Sequence, residues 1–442
     1  LHTAYRRQRQ MCIRDRLVRD PIPRASVMVR ALAVRILFRR RDGACCSREG
    51  LFCCSGLRCI VLCAFLFYVW EVMKDTSGEL PGKAGLFATL GTMYAHTLPV
   101  SRGPQSLTWR QVPDPTPGPG EVLLQVTAVA VNRMDLAQAC GRYVPPAGVA
   151  PYPGIECSGR IIAMGPDQPQ GAQNSQGTQW QVGDECCALL NGGGYAEKVV
   201  APTLQLLPIP QGVSLADAAA LPEAACVAWS TLVMEGHLSP GQTALIEGGS
   251  GGMGSFAIQL CKALGASVVA LAGSDQGLNL CWELGADVAL NYRDEDPVAS
   301  LRALGGANVI FDLMGASHLA QHIYCIAAGG RIVTVSLQGK VTKPVDMGIL
   351  MGKLMAKRGA IITTSMRGRP ATGPGSKAEV IRQVRQHVWP LIDTGLIKPV
   401  IQRRVPIRSA SDVLTDVQNH TTMGKSVPVS YTHLTLPTIC SV

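Results

Sequence analysis

Near its middle the chain reads Thr243-Ala-Leu-Ile-Glu-Gly-Gly-Ser-Gly-Gly-Met-Gly-Ser-Phe-Ala-Ile-Gln-Leu260, and this stretch decides the fold. Residues 244–246 form a short apolar run typical of a buried strand, and apolar residues at helical spacing resume after the glycines. Gly249, Gly251 and Gly254 stand in the GxGxxG register. There the first glycine allows a tight turn, the second lets backbone approach a pyrophosphate, and the third lets helix and strand pack closely. The register therefore suits a dinucleotide.

The flanking segments separate a dinucleotide site from an ordinary glycine-rich turn. A second apolar run, residues 267–271, follows the helical stretch and completes a strand–helix–strand unit. In such a unit, unpaired N–H groups at the helix N-terminus hold the anion. We therefore predict a cofactor-binding loop. Its predicted residues are Gly249, Gly251, Gly252, Met253 and Gly254.

Charge is unevenly distributed along the 442 residues, whose net charge is +10. Residues 1–92 hold 16 Lys and Arg against 7 Asp and Glu, whereas the rest of the chain holds 25 against 24. The nearly neutral body disfavours binding to a nucleic-acid backbone. Cysteines in the body are scattered without a CxxC pair, so we expect neither a disulfide framework nor a zinc ribbon, and a reducing compartment is favoured.

Neither end of the chain has the pattern of a folded domain. The leader, residues 1–92, is rich in arginine, and its apolar run Cys59–Trp70 covers 12 residues. A membrane-spanning helix needs about 20. We interpret much of the leader as disordered or non-native sequence, with an organelle transit peptide as the alternative, and the tail 430–442 as non-native. We expect a cytoplasmic protein, or a plastid or mitochondrial one if the leader is a transit peptide.

The body between these ends has two patterns, which predict two domains of an α/β protein. Short β-rich runs separated by glycine and proline occupy 93–218, and we expect residues 366–429 to complete that domain with a helix over 377–392 and a strand near Val405. Strands alternate with helical stretches over 219–365, which predicts a doubly wound parallel sheet. The predicted strands are 121–131, 159–164, 185–190 and 195–200, then 244–246, 267–271, 288–292, 307–312 and 330–335.

A series of short motifs occurs along the body. They are Val131-Asn-Arg-Met-Asp-Leu136, Gly141-Arg-Tyr143, Pro153-Gly-Ile-Glu-Cys-Ser-Gly159, Val182-Gly-Asp184, Gly192-Gly-Gly-Tyr-Ala-Glu197, Leu221-Pro-Glu223, the glycine loop, Ala272-Gly-Ser274, Asn291-Tyr292 and Gly424-Lys425. With them the chain, from about Met93 to Val429, resembles the medium-chain dehydrogenase/reductase superfamily and its zinc-free quinone oxidoreductases (zeta-crystallin-like, p53-inducible type). The resemblance implies a GroES-like catalytic domain, a Rossmann cofactor domain, a cleft between them and a homodimer.

Residue types argue against a catalytic metal. The zinc-dependent branch of this superfamily places a ligand cysteine where this chain has Asn132 and a ligand histidine where it has Ile155. Neither side chain offers the thiolate or imidazole that zinc prefers. The four-cysteine structural lobe is missing, and Glu156 alone does not make a zinc site. We therefore predict no metal.

Without zinc, the implied reaction is hydride transfer from nicotinamide C4 to an acceptor, such as a quinone, that tolerates negative charge without a Lewis acid. The resemblance implies that Asn132 and Tyr143 line the pocket. Asn132 would hydrogen-bond the acceptor carbonyl or the cofactor, and Tyr143 would orient the ring or donate a proton. Spacing alone also fits a turn asparagine and a loop tyrosine. We interpret several histidines as structural or surface residues: His96, His237, His318, His322 and His387.

Cofactor choice depends on the end of the second strand. In the resembling reductases a serine, a lysine and a tyrosine bind the 2′-phosphate of NADPH. Ser274 and Tyr292 match, but the lysine is replaced within Asp275-Gln-Gly277. We expect NADPH, with NADH possible. Val227 stands where the family has a threonine that bonds the nicotinamide amide, which would weaken cofactor positioning.

Two other functions remain open. One is an NADPH-dependent enoyl or enone reductase of the same fold, which must also protonate a carbon. The other is a non-catalytic nucleotide-binding protein, either crystallin-like or RNA-associated. We expect a small-molecule quinone substrate and a homodimer, with no membrane association and no nucleic-acid partner.

Overall fold

The computed structural model of the chain describes residues 91–430, except Ala147 and residues 342–345. Most of the predicted leader and all but the first residue of the predicted tail lie outside this range. Within it, no helix combines the length and the apolar character needed to span a bilayer.

The described strands form two large sheets and one hairpin. They are β1 (Thr92–Thr97), β2 (Thr108–Pro113), β3 (Glu121–Val129), β4 (Glu156–Met164), β5 (Glu185–Leu189), β6 (Lys198–Pro202), β7 (Leu206–Pro208), β8 (Thr243–Ile246), β9 (Ser267–Ala272), β10 (Val288–Asn291), β11 (Ala307–Asp312), β12 (Ile326–Thr334), β13 (Ala360–Thr363), β14 (Ile401–Pro406) and β15 (Lys425–Val429).

Helices connect most of these strands. They are α1 (Arg133–Ala139), α2 (Leu215–Ala218), α3 (Pro222–Trp229), α4 (Gly252–Ala263), α5 (Asp275–Glu283), α6 (Pro297–Ala303), α7 (Leu319–Cys325), α8 (Met347–Lys357), α9 (Lys377–His387), α10 (Trp389–Asp393) and α11 (Ala410–Gln418). A π-helical turn follows α3 at Ser230–Glu235. Short 3₁₀ helices lie at Pro104–Ser106, Thr203–Gln205, Gly315–Ser317 and Ile407–Ser409.

The helix predicted over 377–392 is two helices, α9 and α10, which meet at Val388. Pro390 explains the break, because proline has no backbone N–H and cannot continue the hydrogen-bond ladder of α9. Proline is tolerated in the first turn of a new helix, where that N–H would have no partner in the helix.

The first sheet has seven strands and is mainly antiparallel, in the order β14-β15-β3-β4-β5-β7, with β6 paired to β3. β14 and β15 come from the C-terminal part of the chain, and β15 pairs with β3. Its core contains Leu124, Ile161 and Tyr195, all fully buried. This sheet therefore combines strands from before and after the parallel sheet.

The second sheet has six strands in the order β10-β9-β8-β11-β12-β13, all parallel, so the predicted doubly wound sheet is confirmed. Both faces are covered. Ala244 and Ile246 pack with α3, α4 and α9, whereas Leu245 packs with α6, α7 and α8. Burial on both faces explains why the strands are continuous apolar runs. The order reverses between β8 and β11, and ligands of such sheets bind beside that switch point.

Candidate functional site

A cleft of about 540 Å³ opens at the switch point. Gly248, Gly273 and Leu313, which follow β8, β9 and β11, line it. Ile155 and Lys425, from the region of the antiparallel sheet, also line it. Most of the predicted site residues meet here: Asn132, Gly251, Gly252, Met253, Gly254, Ser274 and Tyr292. Gly249 and Tyr143 are not among the lining residues.

The glycines of the loop have different physical roles. A Cβ on Gly249 would lie 2.7 Å from the Cys281 sulfur, and one on Gly254 would collide with the Gly248 carbonyl, so packing requires both glycines. At Gly251 a Cβ would meet only the Gly248 oxygen, at 3.3 Å. Gly251 is the N-cap of α4, and no side chain caps that turn. The first N–H groups of α4 are thus available to an anion in the cleft.

The glycine loop is joined to the start of β15. The Gly424 N–H donates to the Ser250 carbonyl at 2.8 Å, and Gly251 and Gly424 form an isolated bridge. At Gly252 a Cβ would lie 2.8 Å from Cδ of Lys425. The missing side chain at Gly252 therefore makes room for the Lys425 stem, which brings the lysine ammonium to the cleft.

The Lys425 ammonium ends in a buried polar cluster. Its Nζ donates to Glu156 Oε1 at 2.6 Å and to Asn132 Oδ1 at 2.5 Å, and Asn132 Nδ2 donates to the same Glu156 oxygen at 2.8 Å. Glu156 is fully buried, and 5% of the Lys425 side chain is exposed. The other Glu156 oxygen accepts the Glu223 backbone N–H at 2.8 Å, at the start of α3. Every charge in this cluster is paired, as burial requires.

These residues do not fit a zinc ion. Asn132 offers an amide and Ile155 a hydrocarbon where the zinc-dependent branch has ligands, and zinc prefers thiolate, imidazole and carboxylate. The remaining carboxylate, Glu156, is already neutralised by an ammonium at 2.6 Å. The cation of this cluster is thus a lysine side chain.

A second buried network holds the turn that carries Asn132. Asp135 accepts the backbone N–H of Asn132 at 2.9 Å, the N–H of Gly154 at 2.8 Å and the Tyr195 hydroxyl at 3.1 Å. Burial raises the pKa of Asp135 to about 7, even though these hydrogen bonds act in the opposite direction. Asp135 therefore positions Asn132 without lining the cleft.

The end of the cleft lined by Ser274 and Tyr292 also has cations that sequence reasoning missed. Arg293 and Arg133 both line it; Arg293 lies with its guanidinium carbon 6.0 Å from the Tyr292 ring centre. Arg133 donates to Nδ1 of His420 at 2.9 Å. Asp275, an acidic residue in the segment where the family has that lysine, is exposed and is not a lining residue. The two arginines thus add positive charge at this end of the cleft.

Two family profiles match the chain. One, described as alcohol dehydrogenase GroES-like domain, matches residues 118–211, and the other, described as zinc-binding dehydrogenase, matches residues 252–383. The chain belongs to the medium-chain dehydrogenase/reductase family. It is therefore an oxidoreductase of this family, and the predicted fold class, a GroES-like domain with a Rossmann domain, is confirmed.

Three similar proteins share about a quarter of their aligned residues with this chain. The chain is 26% identical over 322 residues to the rat synaptic vesicle membrane protein VAT-1 homolog, covering 70% of this chain and 77% of the relative. It is 27% identical over 330 residues to a Pseudomonas aeruginosa quinone oxidoreductase, covering 74% and 96%. A solved mycobacterial protein complexed with NADPH has 25% identity and a TM-score of 0.66, covering 76% and 99%.

Two positions depart from what the medium-chain dehydrogenase/reductase resemblance implied. Val227 lines the cleft as expected for the threonine position, but it has no hydroxyl. The Tyr143 hydroxyl is buried without a hydrogen-bond partner among the described residues, and burial raises its pKa. Arg367, which pairs with Glu223, lines the cleft instead. A catalytic role for Tyr143 therefore stays a prediction.

Proposed function

We propose that this protein is an NADPH-dependent quinone oxidoreductase that works without zinc. NADPH supplies the hydride when bound, and the protein supplies position and polarity. The observation that carries the proposal is the Lys425 ammonium, held at the cleft by Asn132 and Glu156.

Lys425 can stabilise the negative charge that develops on the acceptor oxygen. An ammonium has three N–H donors. Asn132 and Glu156 take two, and the third has no acceptor among the described residues. A preoriented donor in a site that excludes water acts strongly on developing charge. A quinone suits this arrangement, because its reduced oxyanion is delocalised and needs no stronger Lewis acid.

The residues at the Ser274 end of the cleft favour NADPH over NADH. Ser274 and Tyr292 line it as the resemblance implied, and Arg133 and Arg293 add positive charge. The Ser274 hydroxyl also accepts the Gly277 N–H at 3.2 Å, which orients it at the start of α5. The mycobacterial relative was solved with NADPH. NADH as the physiological cofactor remains the alternative.

The test is a substrate panel with the full chain. Oxidation of NADPH and NADH is followed with 1,2-quinones, 1,4-quinones and conjugated enones, before and after treatment with a chelator. The proposal expects faster turnover with NADPH and quinones, unchanged by chelation. Turnover that requires added zinc contradicts it. Preference for enones selects the enoyl reductase, and nucleotide binding without oxidation selects the non-catalytic alternative.

We also propose the predicted domain boundaries, 93–218 with 366–429 for one domain and 219–365 for the other.

We propose a homodimer as well. Strand β13 is an edge of the parallel sheet, and α8 precedes it with exposed apolar side chains. They are Met347, Ile349, Met351 and Met355. Unpaired strand edges and exposed apolar patches favour association of identical subunits. Sedimentation equilibrium at the monomer mass would contradict the dimer.

A further inference from the structure

Three ligand-type side chains meet next to the glycine loop, and none of them lines the cleft. Glu247 Oε1 lies 2.6 Å from His318 Nδ1 and 3.1 Å from His322 Nε2. One ligand atom from each residue lies within 4.8 Å of the others. Both imidazoles are thus directed at the same carboxylate oxygen.

The backbone fixes each member of this cluster. Glu247 directly follows β8, and its Oε2 accepts the N–H groups of Leu313 and Met314 at 2.8 and 3.1 Å. This leaves Oε1 facing the histidines. His318 is the N-cap of α7 and His322 lies within the helix. Because they are four residues apart, their side chains share one helix face. The cluster is therefore built at the end of β8 and on the first turn of α7.

Asp312 supplies an outer carboxylate. Its Oδ1 accepts the N–H groups of Met314 and Gly315 at 2.8 Å each, and its Oδ2 accepts the Thr334 hydroxyl at 2.5 Å. Asp312 Oδ1 lies 3.9 Å from Nδ1 of His322. That nitrogen is buried and has no hydrogen-bond partner in the described part of the chain. Histidines that bind metals commonly direct their second nitrogen at a carboxylate in this way.

Hydrogen bonding alone leaves part of this arrangement unexplained. It accounts for Glu247 but leaves His322 Nδ1 unpaired. A cation on Nε2 would fix the tautomer with a proton on Nδ1, next to Asp312. The His318 side chain is 31% exposed whereas Glu247 and His322 are buried, so solvent reaches the cluster from one side. The cluster thus offers three side-chain ligand atoms and one side that is open to solvent.

We propose that Glu247, His318 and His322 bind a divalent transition-metal ion of the zinc type, with water as the fourth ligand. Two imidazoles and one carboxylate suit tetrahedral Zn²⁺ or Co²⁺. Ligands of such an ion lie about 3.4 Å apart for metal–ligand distances near 2.1 Å. The two separations from Glu247 need to open by less than about 1 Å. The two imidazole nitrogens lie within 4.8 Å of each other, so they need to approach by at most about 1.4 Å. The partly exposed His318 side chain allows both movements. The site is separate from Lys425, so it does not depend on the proposed quinone chemistry.

The test titrates Co²⁺ into the full chain, with its cysteines kept reduced, and follows visible absorption. We expect a tetrahedral d–d spectrum without thiolate charge-transfer bands, because no cysteine belongs to the site. We also expect Zn²⁺ to displace the Co²⁺ and so abolish this spectrum. His318→Gln should abolish the spectrum, while His387→Gln, which removes an exposed histidine from α9, should retain it. Asp312→Asn should weaken binding about 10–100-fold. Binding should also weaken as the pH falls, since protons compete for the histidines.

Each remaining outcome overturns the proposal. A thiolate charge-transfer band would place cobalt on cysteines, and an unchanged spectrum in His318→Gln would place it elsewhere. No binding of either metal at micromolar protein would mean that the cluster is a hydrogen-bonded structural unit only. Circular dichroism of His318→Gln checks the fold, and the partly exposed position of His318 makes a folded variant the expected result.

Discussion

Replacement of Lys425 by methionine tests the buried cluster most sharply. Methionine keeps the apolar stem along Gly252 but removes the ammonium. Glu156 would then be a fully buried carboxylate with only the Asn132 amide and the Glu223 N–H as partners. Removing one partner of a buried ion pair costs about 3–5 kcal/mol of unfolding free energy. We expect Lys425→Met to lose that amount.

A second substitution separates charge from packing. Glu156→Gln in the Lys425→Met background removes the uncompensated charge and should restore most of the stability. Lys262→Met is the matched control, because Lys262 and Asp287 are partly exposed and such pairs contribute about 0–1 kcal/mol. Urea denaturation followed by circular dichroism measures all of them. The reasoning is refuted if Lys425→Met loses no more stability than the control, or if the double variant is as unstable as the single one.

Four further predictions concern the cofactor and pH. Gly251→Val should fold normally, since only one atom lies near its Cβ, yet lose nucleotide binding in a titration. Gln276→Lys, at an exposed lining position, should raise the ratio of NADPH to NADH affinity by attracting the 2′-phosphate. Val227→Thr should tighten NADPH about 2–12-fold in a titration, the worth of one hydrogen bond at about 0.5–1.5 kcal/mol. The pKa of Asp135 is about 7 in the folded chain, against 3.8 in the unfolded chain. The contribution of Asp135 to stability should therefore fall as the pH rises from 4 to 7.

The controls follow from the same contacts. Gly254→Val should unfold the Rossmann domain, which distinguishes packing from ligand access at Gly251. Gly277 is a poor place for the lysine, because a Cβ there would lie 2.9 Å from the Ser250 hydroxyl. Asp135→Asn should remove the fall in urea midpoint between pH 4 and 7. Each prediction has an outcome that contradicts it. For Gly251→Val this is retained affinity for the nucleotide, for Gln276→Lys an unchanged ratio of NADPH to NADH affinity, and for Val227→Thr an unchanged affinity for NADPH. For Asp135 it is a urea midpoint that depends on pH in the same way in the wild type and in Asp135→Asn.

Local sequence was sufficient to predict the central strands of the parallel sheet. They are apolar runs bounded by glycine, and burial on both faces makes that pattern strong. The hairpin of β1 and β2 was missed because only half of its residues are apolar, so its strands form no continuous apolar run. The edge strand β13 and helix α8 were also missed. Four residues make a short signal, and exposed methionines on α8 obscure a helical period.

The site was predictable only where a motif carried it. Asn132 and the glycine loop were found, but Lys425 lies 293 residues from Asn132 and meets it through the pairing of β15 with β3. The interpretation of His318 and His322 as isolated structural or surface residues missed their meeting with Glu247, 71 and 75 residues away. Contacts of this range depend on sheet order, which spacing along the chain does not reveal.

The most direct measurement is the single-turnover rate of NADPH oxidation by a 1,4-quinone in the chelator-treated full chain. The metal-free wild type should react, and the folded Lys425→Met/Glu156→Gln variant should react about 10²–10³-fold more slowly, as expected when one preoriented donor to an oxyanion is lost. An equal rate in the variant, or a wild type that reacts only after zinc is added, would contradict the role assigned to the Lys425 ammonium.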